Sequence, residues 1–235
     1  IPFAGVAGGD EVWVRAQPEG KSCSDLLSKG KVSDGYYAIQ PIPGGPVFYV
    51  YCEQTVEGGG WTRVDFASSL TSAQITEITD ATYAQYTQVG LNVASPSFGS
   101  QKYYWLPLTA WHQLLGFAGS LRTETSSSGE NIWSNDVTVA GASDGFRMRY
   151  GSSQSGWKNF YTANGEKFTT HDKDQDSWGD NCASGNGYRG GGFWYSNCYQ
   201  NAMAHPGPGH VCPWTNNCNS DGDGVDYRKT YVRGA

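Results

Sequence analysis

The densest chemistry in the chain is the acidic run Asp172-Lys-Asp-Gln-Asp-Ser-Trp-Gly-Asp180. Carboxylates at the alternate positions 172, 174 and 176 repel one another unless they are hydrated or bridged by a hard cation. Calcium takes roughly six to eight oxygen ligands, and a short Asp-x-Asp loop can wrap around it. The run is not an EF-hand: counted from Asp172, position 6 is Ser177 rather than Gly, and position 12 is Ala183 rather than Glu. A solvated acidic turn is the competing reading of the spacing. A second stretch, Asn219-Ser-Asp-Gly-Asp-Gly-Val-Asp226, is calcium-like in composition, although Asp-Gly pairs are ordinary turn formers. His205 and His210, set among Pro and Gly with no thiolate nearby, read as a surface loop.

Two catalytic patterns are rejected on context. Gly141-Ala-Ser-Asp-Gly145 matches G-x-S-x-G, but a nucleophile elbow leads into a helix, and here strand-like residues follow. Ser143 therefore belongs to a hairpin turn. Gly185-Asn-Gly-Tyr-Arg-Gly190 matches G-x-G-x-x-G but runs into the strand-like Gly192-Phe-Trp-Tyr195, where a dinucleotide site needs a helix. Three aspartates in one short loop suit metal ligation better than a tuned acid/base pair. The reading is of a binding protein and not an enzyme.

The six cysteines are Cys23, Cys52, Cys182, Cys198, Cys212 and Cys218. An even number without a CxxC pair argues for disulfides, and so for an oxidising, extracytoplasmic setting. Six cysteines allow 15 connectivities, among which sequence alone does not choose. Their clustering makes 23–52, 182–198 and 212–218 the simplest solution.

The elements that must position these groups come from an unusual composition. Of 235 residues 32 are Gly, 14% are aromatic and only 16% are charged, which describes a loop-rich, largely β body. A coiled coil or helical bundle is excluded, and 38% hydrophobic residues can fill a core, against disorder. A net charge of −6 with thinly spread Lys and Arg leaves no footprint for nucleic acid, and no apolar run approaches a membrane span. The opening Ile-Pro-Phe without Met reads as processed or trimmed.

Residues 1–22 read as an arm or a peripheral strand, and Cys23-Ser-Asp-Leu-Leu-Ser-Lys-Gly30 as a short capped helix. Strands are expected at 36–39, 47–51, 61–66 and across 120–150, where 135–140 and 146–150 alternate, and helices at 72–86 and 109–115. From about 166 onward, periodicity gives way to Gly, Asn, Asp, Pro and rings. A long irregular stretch in a compact domain is usually functional.

Several ordered motifs then converge. Cys23-Ser-Asp-Leu-Leu, Asp34-Gly-Tyr-Tyr, Val47-Phe-Tyr-Val-Tyr-Cys52 and Gly58-Gly-Gly-Trp-Thr62 resemble the opening of a fibrinogen-related domain. The middle agrees at Tyr104-Trp-Leu106, Trp111-His-Gln-Leu114, Leu121-Arg-Thr-Glu124 and Phe146-Arg-Met-Arg-Tyr150. The closing part is more specific: Asn164-Gly-Glu-Lys-Phe-Thr-Thr-His-Asp-Lys-Asp-Gln-Asp176, Asn181-Cys-Ala183 and Gly191-Gly-Phe-Trp-Tyr-Ser-Asn-Cys198. The resemblance spans roughly 23–232 and extends to lectin-type members, ficolins and tachylectins among them.

It implies an α+β fold with a mixed central β-sheet, few short helices and a loop-rich C-terminal binding subdomain. The single domain over 23–235 would divide near 23–60, 61–165 and 166–235, with disulfides 23–52 and 182–198. It also implies bound Ca²⁺, with side-chain oxygens from Asp174 and Asp176, backbone carbonyls from Trp178 and Asp180, water, and Asp172 as a neighbour outside the shell. The Asn197–Cys198 peptide would be cis. An aromatic pocket for acetyl groups would use Tyr188, Tyr199, Trp214, Thr215 and Tyr227. This chain departs from the lectin pattern in carrying Tyr199 where a His is usual, and in adding Cys212 and Cys218 within a rewritten 199–226 loop. The expected function is that of a secreted, calcium-dependent lectin for glycans or acetylated ligands. It would not bind nucleic acid or insert into membranes. A homo-oligomer is compatible with this reading, and weak single-site sugar binding would need avidity whose source the sequence does not specify. The alternative is a fibrinogen-like module with a protein partner, in adhesion, receptor binding or venom.

Overall fold

A computed structural model describes residues 17–93, 102–125, 129–151, 163–184, 191–196 and 227–234. Its framework is an eight-stranded sheet of β1 (Gly35–Ile39), β2 (Phe48–Glu53), β3 (Trp61–Ser68), β4 (Tyr103–Trp105), β5 (Gly119–Thr125), β6 (Gly129–Val139), β7 (Met148–Arg149) and β8 (Tyr227–Arg233). The order across it is β1-β2-β3-β8-β5-β6-β7, with β4 paired to β3. With three short α-helices beside it, the α+β expectation holds. The described strand pairs are antiparallel, and the parallel character is confined to one bridge, Gly20 to Ile39.

The helices follow their local signals. Helix α1 (Cys23–Ser28) starts where Ser22 accepts the Asp25 N–H at 3.1 Å. Helix α2 (Ser72–Thr79) opens with a capping box between Thr71 and Gln74. The single helix expected over 72–86 is broken: α2 stops at Asp80, and a π-helical turn occupies Gln85–Val89. The restart has its own capping box, since Gln85 accepts the Thr82 N–H at 2.8 Å and Thr82 accepts the Gln85 N–H at 3.3 Å. Helix α3 (Leu108–Leu115) lies where periodicity placed it, burying Leu108, Trp111, Leu114 and Leu115. Ser143 falls in a 3-10 turn, Ala142–Asp144, between β6 and β7.

The core between sheet and helices is built from rings. Trp105 stacks on Trp111 with centroids 4.7 Å apart, and Trp194 and Phe168 meet edge to face at 5.0 Å. Tyr86 joins them 5.4 Å from Phe168. Phe168 and Trp194 flank the acidic loop in sequence, so the core fixes the base from which that loop departs.

Near β1 and β2, the Cys23–Cys52 bond ties α1 to the sheet as expected. Gln54 holds the Cys23 carbonyl at 3.1 Å and the Gly60 N–H at 2.9 Å. The three glycines before β3 all take positive φ, and a Cβ on Gly59 would lie 2.3 Å from the Gln54 carbonyl oxygen, so the turn accepts nothing larger. The disulfide closes a 29-residue separation. For a loop of that size, chain entropy puts its contribution at about 3–4 kcal/mol. The double variant Cys23→Ala/Cys52→Ala should therefore unfold at clearly lower urea concentration, and an unchanged midpoint would refute this.

Asp34 accepts hydrogen bonds from the Gln54 N–H (2.6 Å), the Thr55 N–H (3.0 Å) and the Thr55 hydroxyl (2.9 Å). Burial opposes ionisation, but these donors outweigh it and hold the carboxyl below its ordinary 3.8. A depressed folded value means that the contribution is complete above 3.8 and is lost as pH falls through the folded value. Asp34→Asn should thus be less stable than the parent at neutral pH, and the gap should close in more acidic buffer. A gap that widened on acidification would contradict the assignment.

Candidate metal centre

The acidic loop rises from a buried stem. Phe168, Thr169 and Thr170 are all buried, and Thr169 exchanges two backbone hydrogen bonds with Phe193, at 2.8 and 3.0 Å. Phe193 is the centre of the short stretch expected as a strand, which reduces here to this bridge. Trp194 donates its indole N–H to the Phe146 carbonyl at 2.7 Å, locking the second wall. Gly191 sits at φ +76, where an added Cβ would meet the Tyr86 hydroxyl at 2.7 Å.

Above the stem, Thr170 and Lys173 exchange backbone hydrogen bonds at 3.0 and 3.1 Å, turning the chain outward. Gln175 reaches back to the stem, its N–H to the Thr169 hydroxyl at 3.0 Å and its amide to the Phe168 carbonyl at 2.6 Å. Asn181 closes the loop from the other side by donating to the carbonyls of Thr170 (3.0 Å) and His171 (3.3 Å). Ser177 donates to the Ser196 carbonyl at 3.0 Å, tying the loop crest to the second wall. Gln175 and Asn181 escape a reading that looks for charges. Their signal is amide side chains interleaved with carboxylates in a stretch too short for regular hydrogen bonding.

The expected side-chain ligands come together. Asp176 is half-buried and accepts the Trp178 N–H on Oδ1 at 2.9 Å and the Cys182 N–H on Oδ2 at 3.0 Å. Asp174 is exposed and accepts the Asp176 N–H at 3.3 Å. Burial, with the negative charge of Asp174 adding to it, raises the Asp176 carboxyl above its ordinary value in spite of those two N–H donors. A cation between the two carboxylates would remove that repulsion. Trp178 and Asp180 lie on the exposed crest, Trp178 with 49% of its surface open.

Asp172 behaves differently. Its Oδ1 accepts the Thr170 hydroxyl at 2.7 Å and the Tyr83 N–H at 2.8 Å, so it is committed to a contact away from its two neighbours. Burial works against ionisation here too, but these donors prevail and the carboxyl lies below its ordinary value. Among the described residues, no three His, Cys, Asp or Glu side chains gather as a metal cluster. A site made of two carboxylates and backbone carbonyls would not form such a group. The donor set is all oxygen, which fits a hard cation.

Of the pocket residues, Tyr227 starts β8 opposite Ser68, with the Lys229 ammonium 4.7 Å from its ring centre. Tyr188, Tyr199, Trp214 and Thr215 lie outside the described residues, as do Cys198, Cys212, Cys218, the Asn197–Cys198 peptide, Asn219–Asp226 and both loop histidines. Cys182 is buried and disulfide-bonded, its partner also outside them.

Comparison with known proteins places these features. Residues 19–227 match the model for the C-terminal globular domain of fibrinogen β and γ chains. Human ficolin-3 is 29% identical over 205 residues, covering 81% of this chain and 60% of that protein. The fibrinogen γ chain of Xenopus laevis is 28% identical over 208 residues, covering 77% and 44%. The chain thus spans less than two thirds of either relative's length. The fibrinogen-like globe domain of human ANGPTL6 superposes with a TM-score of 0.70 at 22% identity, covering 95% of this chain and 99% of that one. Lamprey fibrin D-dimer, solved with the peptide Gly-His-Arg-Pro-amide, gives a TM-score of 0.66 at 18% identity over 97% and 78%.

Proposed function

The chain belongs to the fibrinogen C-terminal globular domain family, and on that premise we propose that it is a secreted, calcium-stabilised lectin acting by binding rather than catalysis. The observation that carries this reading is the convergence of Asp174 and Asp176 on a loop pinned at both ends to the core. Side-chain oxygens of these two residues and the backbone carbonyls of Trp178 and Asp180 would hold Ca²⁺. The ion would supply the positive charge that lets the paired carboxylates sit together and orders the crest of the loop. Preorganising the loop lowers what an incoming ligand must spend on order.

The ligand surface in this reading is formed by Tyr188, Tyr199, Trp214, Thr215 and Tyr227. Rings stack on the C–H faces of sugars and enclose an acetyl methyl, while hydroxyls and N–H groups fix the polar end. The division into parts near 23–60, 61–165 and 166–235 belongs to the same proposal, with the reservation that β8, Tyr227–Arg233, sits inside the central sheet. A secreted location accords with the buried disulfide at 23–52. No helix among the described residues is long and apolar enough to cross a membrane.

A second reading, a module that binds protein, is favoured by Tyr199 in place of the lectin-type His and by the added Cys212 and Cys218. The lamprey relative in the fold comparison carries a peptide ligand. A glycan array run with calcium and with EDTA separates the two. Calcium-dependent glycan binding supports the lectin, and an array with no bound glycan in either buffer sinks it. A captured protein partner indifferent to competing sugars would establish the second reading instead.

A further inference from the structure

Three consecutive residues at the foot of the acidic loop reach a segment about ninety positions earlier in the chain. The His171 Nε2 lies 2.9 Å from the Asp80 carbonyl oxygen. Asp172 accepts the Tyr83 N–H at 2.8 Å, and the Lys173 ammonium sits 3.9 Å from the centre of the Tyr83 ring. Asp80 to Tyr83 is the junction where α2 ends and the chain restarts its helical turn, so the Tyr83 N–H is a first-turn donor with no partner inside its own segment. Asp172 supplies that partner from outside. Beneath, the Tyr83 ring packs 6.2 Å from Phe146 and 6.4 Å from Phe168. Tyr83 is therefore held by the core on one side and by the loop's foot on the other. Asn181 completes the arrangement by binding the carbonyls of Thr170 and His171 from the far end of the loop.

We propose that this clamp, rather than the negative charge of Asp172, tunes how tightly the 174–180 loop holds its cation. Asp172, Lys173 and Tyr83 are positioning residues, acting through the loop and touching no ion. The inference rests on the calcium reading above. It makes the α2 junction a remote part of the site, and it opposes the simple electrostatic view in its signs. By Coulomb attraction alone, removing the charge of Asp172 weakens cation binding whatever replaces it, and removing the positive charge of Lys173 strengthens it. By the clamp, an amide at 172 keeps an oxygen for the Tyr83 N–H, whereas loss of the ammonium from the Tyr83 ring loosens the loop's foot.

Calorimetric titration of CaCl₂ into the intact chain tests this. Asp172→Asn should stay within about threefold of the parent, Asp172→Ala should weaken binding about tenfold, and Lys173→Met should weaken it severalfold. In EDTA, the Tyr83 amide should exchange with solvent faster in Asp172→Ala than in the parent. Equal losses for Asn and Ala at 172, or tighter binding by Lys173→Met, would overturn the clamp while leaving the calcium reading intact. A parent chain that binds no calcium would overturn both. Should Asp172→Ala fail to fold, the sign of the Lys173→Met effect decides alone.

Discussion

Arg228→Met is expected to destabilise the domain by about 3–5 kcal/mol, close to the limit of what one substitution does. Arg228 on β8 and Asp65 on β3 are both fully buried, and the guanidinium grips the carboxylate at 2.8 and 3.1 Å. The Thr230 hydroxyl adds a third bond at 3.1 Å. Methionine would fill much of the volume but leave the carboxylate in the centre of the sheet without its counter-charge. Burial already raises the Asp65 carboxyl above its ordinary value with Arg228 in place, so the variant should fold with Asp65 protonated. A raised folded value makes the penalty largest at neutral pH and smaller as pH falls toward the ordinary 3.8. Replacing both partners, Asp65→Leu with Arg228→Met, should recover most of the loss, because a buried pair is worth little more than apolar groups of similar size. Urea unfolding at two pH values measures all of this. A single-variant loss below about 1 kcal/mol, or a double variant no better than the single, would refute the account.

That pair also shows where reading the chain runs out. Strand β3, helix α3 and the Cys23–Cys52 link carry local signals: β-branched and aromatic runs, an apolar face, and cysteines flanking a short helix and a strand. Strand β8 has no such signal. Tyr227-Arg-Lys-Thr-Tyr-Val-Arg233 puts three polar residues in a row at 228–230 and has no clean apolar alternation, yet it occupies the middle of the sheet. It can do so only because Asp65 waits for Arg228 across 163 positions of sequence, a complementarity that no window reveals. The broken helix at 80–82 differs, since Thr82 and Gln85 spell the same capping box as Thr71 and Gln74 and were legible in principle. In the acidic loop the spacing exposed the carboxylates but not their directions. Asp172, Asp174 and Asp176 look equivalent in alternation, and the Thr170–Lys173 turn makes them different by presenting the first to Tyr83.

The same loop carries the largest functional effect expected of one side chain. Asp176→Ala should remove calcium binding by more than the roughly 10–100-fold that loss of an outer-shell partner costs. Two consequences act together. A ligand oxygen disappears, and so do the acceptors for the Trp178 and Cys182 N–H groups, which join the crest of the loop to its closing end. Asp174→Asn should be milder, because Asp174 is exposed and its amide oxygen can still take the Asp176 N–H. The readout is built in: Trp178 would itself supply a carbonyl ligand and its ring is half-open to solvent, so its emission should shift when calcium orders the crest. The parent should also gain about 2.7 kcal/mol of stability at a calcium concentration one hundred times its Kd, and Asp176→Ala should gain none. If the alanine variant kept both the shift and the gain, the ion would have to sit elsewhere. The loop would then need another source of order, because without its cation it keeps the repulsion between Asp174 and Asp176 as a standing force for opening.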